Sequence, residues 1–200
     1  MTTVDGVGGA LINPLKTVLN VGCGPRGRPH GFTGFDRGWT ELRLDIDPAV
    51  ATGSVDAVVS SHNIEHLYPH EVPLALAEFV RVLKPDGRVL ITCPDLQSVC
   101  ARVAKGELAS PLYDSDAGPI SALDIMYGHR GAMAAGNLFM AHRCGFTLQV
   151  LADTLQACGF PRTAGIARPE AFDLWVVASK AALSDAEIRA LAVLHLPRRA

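Results

Sequence analysis

Apolar residues cluster in short runs through the first half of the chain. Residues 17–21 and 41–46 each read as a strand of about six residues or fewer, the first running straight into a Gly-x-Gly corner. The run Val-Asp-Ala-Val-Val-Ser at 55–60 is short and rich in β-branched residues, as a strand covered on both faces should be. Pro73 fits the first turn of a helix whose apolar stripe reads Leu74, Leu76, Ala77, Val80 and Leu83, and Lys-Pro-Asp-Gly at 84–87 stops it. A strand over 88–93 and a helix from about 96 to 105 follow. Residues 106–146 are the least regular part, rich in Gly, Pro, Asp and His. Thr147 reads as the N-cap of a helix with Leu148, Leu151 and Leu155 inward and Gly159 just past its end. A late strand covers 172–179, and Ser184 with Glu187 forms a capping box opening a final amphipathic helix.

Strands alternating with helices predict an α/β fold: a doubly wound, mostly parallel sheet with helices on both faces. The expected organisation is one domain over 1–200, with 106–146 as an insertion covering the substrate and 184–200 as a C-terminal helix. That helix can dock inward or pair with a copy of itself, so a homodimer is allowed.

The charge pattern narrows the partners. Net charge is −2 with no long basic run, which disfavours nucleic acid and anionic membrane surfaces. The first residues lack the basic and apolar segments of a secretory signal, and no apolar run reaches 18 residues. Five cysteines, odd in number and without a Cys-x-x-Cys pair, read as reduced packing thiols of a cytoplasmic protein. The size and near-neutral charge fit a small-molecule substrate, with sugars, quinones and protein side chains all open.

Candidate chemistry begins at Asn-Val-Gly-Cys-Gly, residues 20–24. A buried strand ending in glycines lets a ligand lie directly on the backbone, and an acid on the next strand can hold a ribose hydroxyl pair. Five segments in order carry a resemblance: Val-Leu-Asn-Val-Gly-Cys-Gly at 18–24, Leu-Asp-Ile-Asp at 44–47, Ser-Val-Asp-Ala-Val-Val-Ser at 54–60, Asn-Ile-Glu-His-Leu at 63–67 and the stretch 82–91. Together they resemble the class I S-adenosylmethionine-dependent methyltransferases, type 11 branch, over residues 15–95 and more loosely over 140–180.

That resemblance implies a Rossmann-like sheet and S-adenosylmethionine as cofactor. Gly22, Cys23 and Gly24 would line its methionine part, with Asn20 just before them, and Asp45 would bind the ribose hydroxyls. Ser61 and His62, past the third strand, would face the sulfonium and the nucleophile. The alternative for Asp45 is an acid closing a strand-end turn, and for His62 a helix cap or a packed ring. Asn20 departs from the family, which usually has an acid there; an amide brings no charge to attract the ligand's ammonium group. The reaction implied is methyl transfer to an O or N atom of a small molecule. His62 is the first candidate base, with His142 and His129 next, and Arg130 and Arg143 could hold an anionic acceptor. A non-catalytic scaffold that kept the fold is the alternative.

Two other motifs compete. Gly22-Cys-Gly-Pro-Arg-Gly27 satisfies Gly-x-Gly-x-x-Gly, but three glycines and a proline over 26–34 cannot sustain the helix that receives a pyrophosphate. His62-Asn-Ile-Glu-His66 matches the inverted zinc-protease pattern, a remote hydrolase alternative, on a strand–helix corner with no third ligand nearby in sequence. Ubiquinone-pathway and small-RNA O-methyltransferases are similar here, with an acid in place of His62 and the Glu-His pair on a divalent ion. Carried onto Glu65 and His66, this implies a metal aid. The reading adopted is that the pair fixes the local helix, and no metal ligand is assigned.

One piece is short. Only eight residues, 48–55, separate Asp47 from Asp56, where the family fits a helix and a strand. Eight extended residues reach about 26–29 Å, too little for a helical crossover. The sheet is therefore expected to lack, or not to show, one strand–helix unit after residue 47, and an omitted stretch would leave a Cα gap near 49–55.

Overall fold

The centre of the sheet is β3 (Val55–Ser61), whose alternate residues feed two different cores. Val58 points to one face with Leu19, Val89, Ile91, Leu174 and Val176, while Ala57 and Val59 join Val18, Leu90, Trp175 and Val177 on the other. Successive side chains of a strand leave opposite faces, so the continuous apolar run is what a doubly covered strand requires. The computed structural model describes residues 18–21, 32–35 and 50–197.

Six strands form the main sheet. β1 (Val18–Val21) lies between β2 (Phe32–Phe35) and β3, parallel to both. β4 (Leu83–Pro94) runs parallel to β3 on the far side. β8 (Asp173–Ser179) and β7 (Arg162–Arg168) complete the order β2-β1-β3-β4-β8-β7, each antiparallel to its neighbour. Among the described residues no strand flanks β2 on its outer edge. The strand expected at 41–46 lies outside the described residues, as do Gly22, Cys23, Gly24 and Asp45.

The expected chain gap does not fall at 50–55. Those residues make a turn in which Ser54 Oγ donates to the Ala51 carbonyl at 2.6 Å. The turn is tied to the end of α1 (Val72–Val82) by Gly53 N–H to Arg81 O and Ser54 N–H to Val82 O, both 2.9 Å.

Pro73 does sit in the first turn of α1, but the buried stripe is Val72, Ala75, Leu76, Phe79 and Val82. Leu74 is exposed, which corrects the stripe read from sequence. α2 (Leu96–Val103) is capped by Asp95, whose side chain accepts from Gln97 N–H. A two-stranded unit, β5 (Pro111–Ser115) and β6 (Gly118–Ser121), lies in the stretch read as irregular. Two short helices follow, α3 (Ala122–Tyr127) and α4 (Arg130–Ala134).

α5 (Leu148–Ala157) starts at Thr147, which accepts from Val150 N–H, and buries Leu151 and Leu155. Gly159 follows at φ +103°, the left-handed corner expected after a helix. The capping box of Ser184 and Glu187 opens α6 (Asp185–His195). This helix docks inward: Ile188 is buried, and Leu191 and Ala192 pack on the Trp175–Val177 face. Among the described residues no helix is long and apolar enough to cross a membrane.

Candidate active site

The carboxyl ends of β1, β3 and β4 lie in register, Val21 beside Ser60 and Ser61 beside Thr92. Loops beyond that edge surround the crevice of an open α/β sheet. Ser61 and Thr92 join their hydroxyls at 2.9 Å, and His62 N–H still donates to the Thr92 carbonyl. There the chain turns sharply: His62 has φ +48°, a left-handed conformation that bends the backbone off the sheet into a 3-10 turn, Ile64–His66.

That turn drops Glu65 under the sheet edge, with its side chain only 2% exposed, while the His62 side chain remains 52% exposed. His62 Nδ1 stands 3.4 Å from Glu65 Oε1. Desolvation pulls the His62 pKa down, but the contact with Glu65 and its charge outweigh this and leave it above the ordinary value. Glu65 is pushed the other way: burial favours its acid form, yet His62, His66 and His142 hold it below the usual carboxylate range. It is an ionised carboxylate in a buried place.

A segment far along the chain closes the corner. The Glu65 carbonyl accepts from Arg143 N–H at 2.8 Å and Cys144 N–H at 3.2 Å, and Arg143 Nη1 donates to the His66 carbonyl at 3.0 Å. Gly128, at φ +97°, lets this segment approach: a Cβ there would lie 1.9 Å from the Met140 carbonyl oxygen. His142 thereby meets His66 edge to face, ring centroids 4.9 Å apart. His66 Nδ1 faces the Ala141 carbonyl at 3.1 Å and His142 Nδ1 the Ile125 carbonyl at 2.7 Å. A carbonyl only accepts, so each ring donates from Nδ1 and, when neutral, offers its Nε2 lone pair. Burial, the largest influence, lowers the His142 pKa and favours that neutral ring.

The corner brings together His62, Ser61, Glu65, His66 and His142. Asn20 lies in β1 opposite Val59, one register step before the Val21–Ser60 pair. Two expected residues are engaged elsewhere. His129 caps α4, its Nδ1 accepting from Ala132 N–H, and is thus not placed as a base. Arg130 is held by Asp124, Nε to Oδ1 at 2.8 Å, and so is not free to hold an anion. Arg143 also lies over the Tyr68 ring, 4.8 Å from its centroid.

The sequence reading missed a neighbouring group. Asp173, buried at the start of β8, accepts from Arg168 Nε at 2.8 Å and Trp175 Nε1 at 3.1 Å, and its charge is felt by His62. An Asp-x-Trp at the start of a strand facing an Arg-x-x-x-x-Asp turn was the available signal. The thiols near the corner are inert as nucleophiles: burial pushes Cys93 well up, and burial with Glu65 pushes Cys144 to about 12.

Comparison with known proteins places this architecture. Residues 36–91 match the methyltransferase domain family. Three solved structures share the fold at low identity. A protein of Pyrococcus horikoshii is 14% identical, covering 88% of this chain and 87% of its own, with a TM-score of 0.55. A SAM-dependent methyltransferase of Thermotoga maritima is also 14% identical, with 88% and 86% covered and a TM-score of 0.50. An O-methyltransferase family protein of Burkholderia thailandensis is 11% identical with a TM-score of 0.52; this chain spans 56% of its length. No curated protein matches the chain by sequence. The fold is that of class I S-adenosylmethionine-dependent methyltransferases. The family match spans 56 of the chain's 200 residues, and the solved structures show the shared fold.

Proposed function

We propose that this chain moves the methyl group of S-adenosylmethionine to an O or N atom of a small-molecule acceptor at the carboxyl edge of β1, β3 and β4. The observation that carries the reading is His62: the backbone turns left-handed there and leaves a half-exposed imidazole at the sheet edge, with Glu65 behind Nδ1. Methyl transfer from a sulfonium needs an in-line nucleophile and little else, so positioning supplies much of the rate. An O–H or N–H acceptor must also lose a proton. His62 Nε2 receives it as the acceptor–CH3 bond forms and the S–CH3 bond breaks, releasing S-adenosylhomocysteine.

In this reading Gly22, Cys23 and Gly24 support the methionine part, Asn20 stands toward its ammonium group, Asp45 holds the ribose hydroxyls, and Ser61 and His62 face the sulfonium and the nucleophile. Residues 106–146 cover the acceptor, since β5, β6, α3 and α4 precede the segment that closes over Glu65. A cytoplasmic setting, freedom from nucleic acid and membrane, and a homodimer belong to the same proposal; the near-neutral charge supports the second.

The test is calorimetric titration with S-adenosylmethionine, then S-adenosylhomocysteine release with hydroxyl and amine acceptors. Saturable heat with product from at least one acceptor class supports the enzyme. Absence of heat up to a millimolar would instead mark a scaffold that kept the fold.

A further inference from the structure

We propose that Glu65, His66 and His142 form a site for a borderline divalent transition ion of the zinc class, in preference to magnesium. One ligand atom from each of the three lies within 4.8 Å of the others. Glu65 carries the argument. Oε1 is taken by His62, but Oε2 is buried with no hydrogen-bond partner among the described residues. A buried carboxylate oxygen left unpaired is costly, the more so because it is charged. A cation supplies the missing partner.

The two imidazoles are built as ligands. Each has its Nδ1 bound to a main-chain carbonyl, Ala141 for His66 and Ile125 for His142, which leaves Nε2 to give. Metal-bound histidines use this outer support to fix ring orientation and tautomer. The site is also pre-assembled: Arg143 and Cys144 N–H groups on the Glu65 carbonyl, and Arg143 Nη1 on that of His66, hold residues 64–66 and 141–144 in one piece. Tetrahedral ligands about 2.0–2.1 Å from zinc stand roughly 3.4 Å apart, so side-chain torsions need draw the three atoms in by only about an ångström.

The donor set chooses the ion. Two nitrogens and one oxygen suit zinc and its neighbours, whereas magnesium demands oxygen ligands and keeps its waters. Among the described residues the cluster holds a single carboxylate, with His62 turned to its Oε1, so nothing there offsets that preference. Three protein ligands leave a position open, as in catalytic zinc sites. Resting on the methyl-transfer reading, that position takes a hydroxyl of the acceptor, polarising its O–H bond before the proton leaves by the route given above.

The experiment titrates full-length, chelator-dialysed protein with cobalt(II), read by its visible absorption band, and with zinc by calorimetry. One equivalent should bind at micromolar concentration or tighter; zinc should displace the band and millimolar magnesium should not. Glu65→Gln and His142→Ala should each weaken cobalt at least tenfold with the far-ultraviolet dichroism unchanged, while His70→Ala should not. If His142→Ala loses its fold, Glu65→Gln decides alone. Absence of a saturable band below a millimolar, displacement by magnesium, or equal weakening by His70→Ala would overturn the site. S-adenosylmethionine heat, measured on the same protein, separates failure here from failure of the methyl-transfer reading.

Discussion

Glu65 divides its carboxylate between two neighbourhoods: Oε1 stands 3.4 Å from Nδ1 of His62, and Oε2 is buried without a partner among the described residues. The first relationship orients a base and stabilises its charged form. Glu65→Gln keeps the shape and removes the charge. Methyl-transfer turnover should fall about 10–100-fold, below the 10²–10⁴-fold typical of losing a base outright. Initial rates of S-adenosylhomocysteine release check this, with cofactor affinity by calorimetry expected to stay within about twofold.

Asn20 offers a gain. An acid at this position in β1 would replace a neutral acceptor with a charged one facing the cofactor's ammonium group. Charge assistance is worth about 1 kcal/mol beyond a neutral hydrogen bond, so Asn20→Asp should tighten S-adenosylmethionine about fivefold. Unchanged or weaker affinity by calorimetry would remove Asn20 from the ammonium's surroundings.

Along α1, Leu74 and Leu76 look interchangeable as letters, yet Leu76 is fully buried while Leu74 is 56% exposed. Leu76→Ala should cost about 2–5 kcal/mol of unfolding free energy and Leu74→Ala no more than about 0.5. Urea denaturation of the two variants reads the difference directly.

That pair shows where sequence legibility ends. β3 and the two capped helices α5 and α6 were legible because a doubly buried run and a side-chain cap are local signals. α1 is apolar nearly all round, so its periodicity has two solutions, and only docking against the sheet selects Val72, Ala75, Leu76, Phe79 and Val82. β7 was invisible because its seven residues are all half-buried, with Gly165 in the middle. In the site, His142 could be named as a candidate base, but its pairing with Glu65 and His66 depends on contacts across about eighty residues, which no local pattern records.

His195 gives a pH signature. Both ring nitrogens are buried without partners among the described residues, and burial, with the Arg88 charge, lowers its pKa to about 4. Unfolded, the ring takes its proton near 6.5. The unfolded state therefore binds more protons between those values, and stability falls as pH drops from about 6.5 to about 4, by about 3 kcal/mol in all. Relative to this, His195→Leu should show a flatter dependence, seen by comparing urea midpoints of the two proteins at pH 7 and pH 4.5.

The left-handed backbone at His62 sets the protein's endurance against its chemistry. A side chain costs about 1–2 kcal/mol in that conformation, which glycine adopts freely. His62→Gly relieves that strain, but it surrenders the imidazole and strips the buried Glu65 Oε1 of its partner, a loss of comparable size. A screen for heat resistance alone would therefore not drift freely toward glycine here, because the carboxylate beneath the ring holds the imidazole in the sequence.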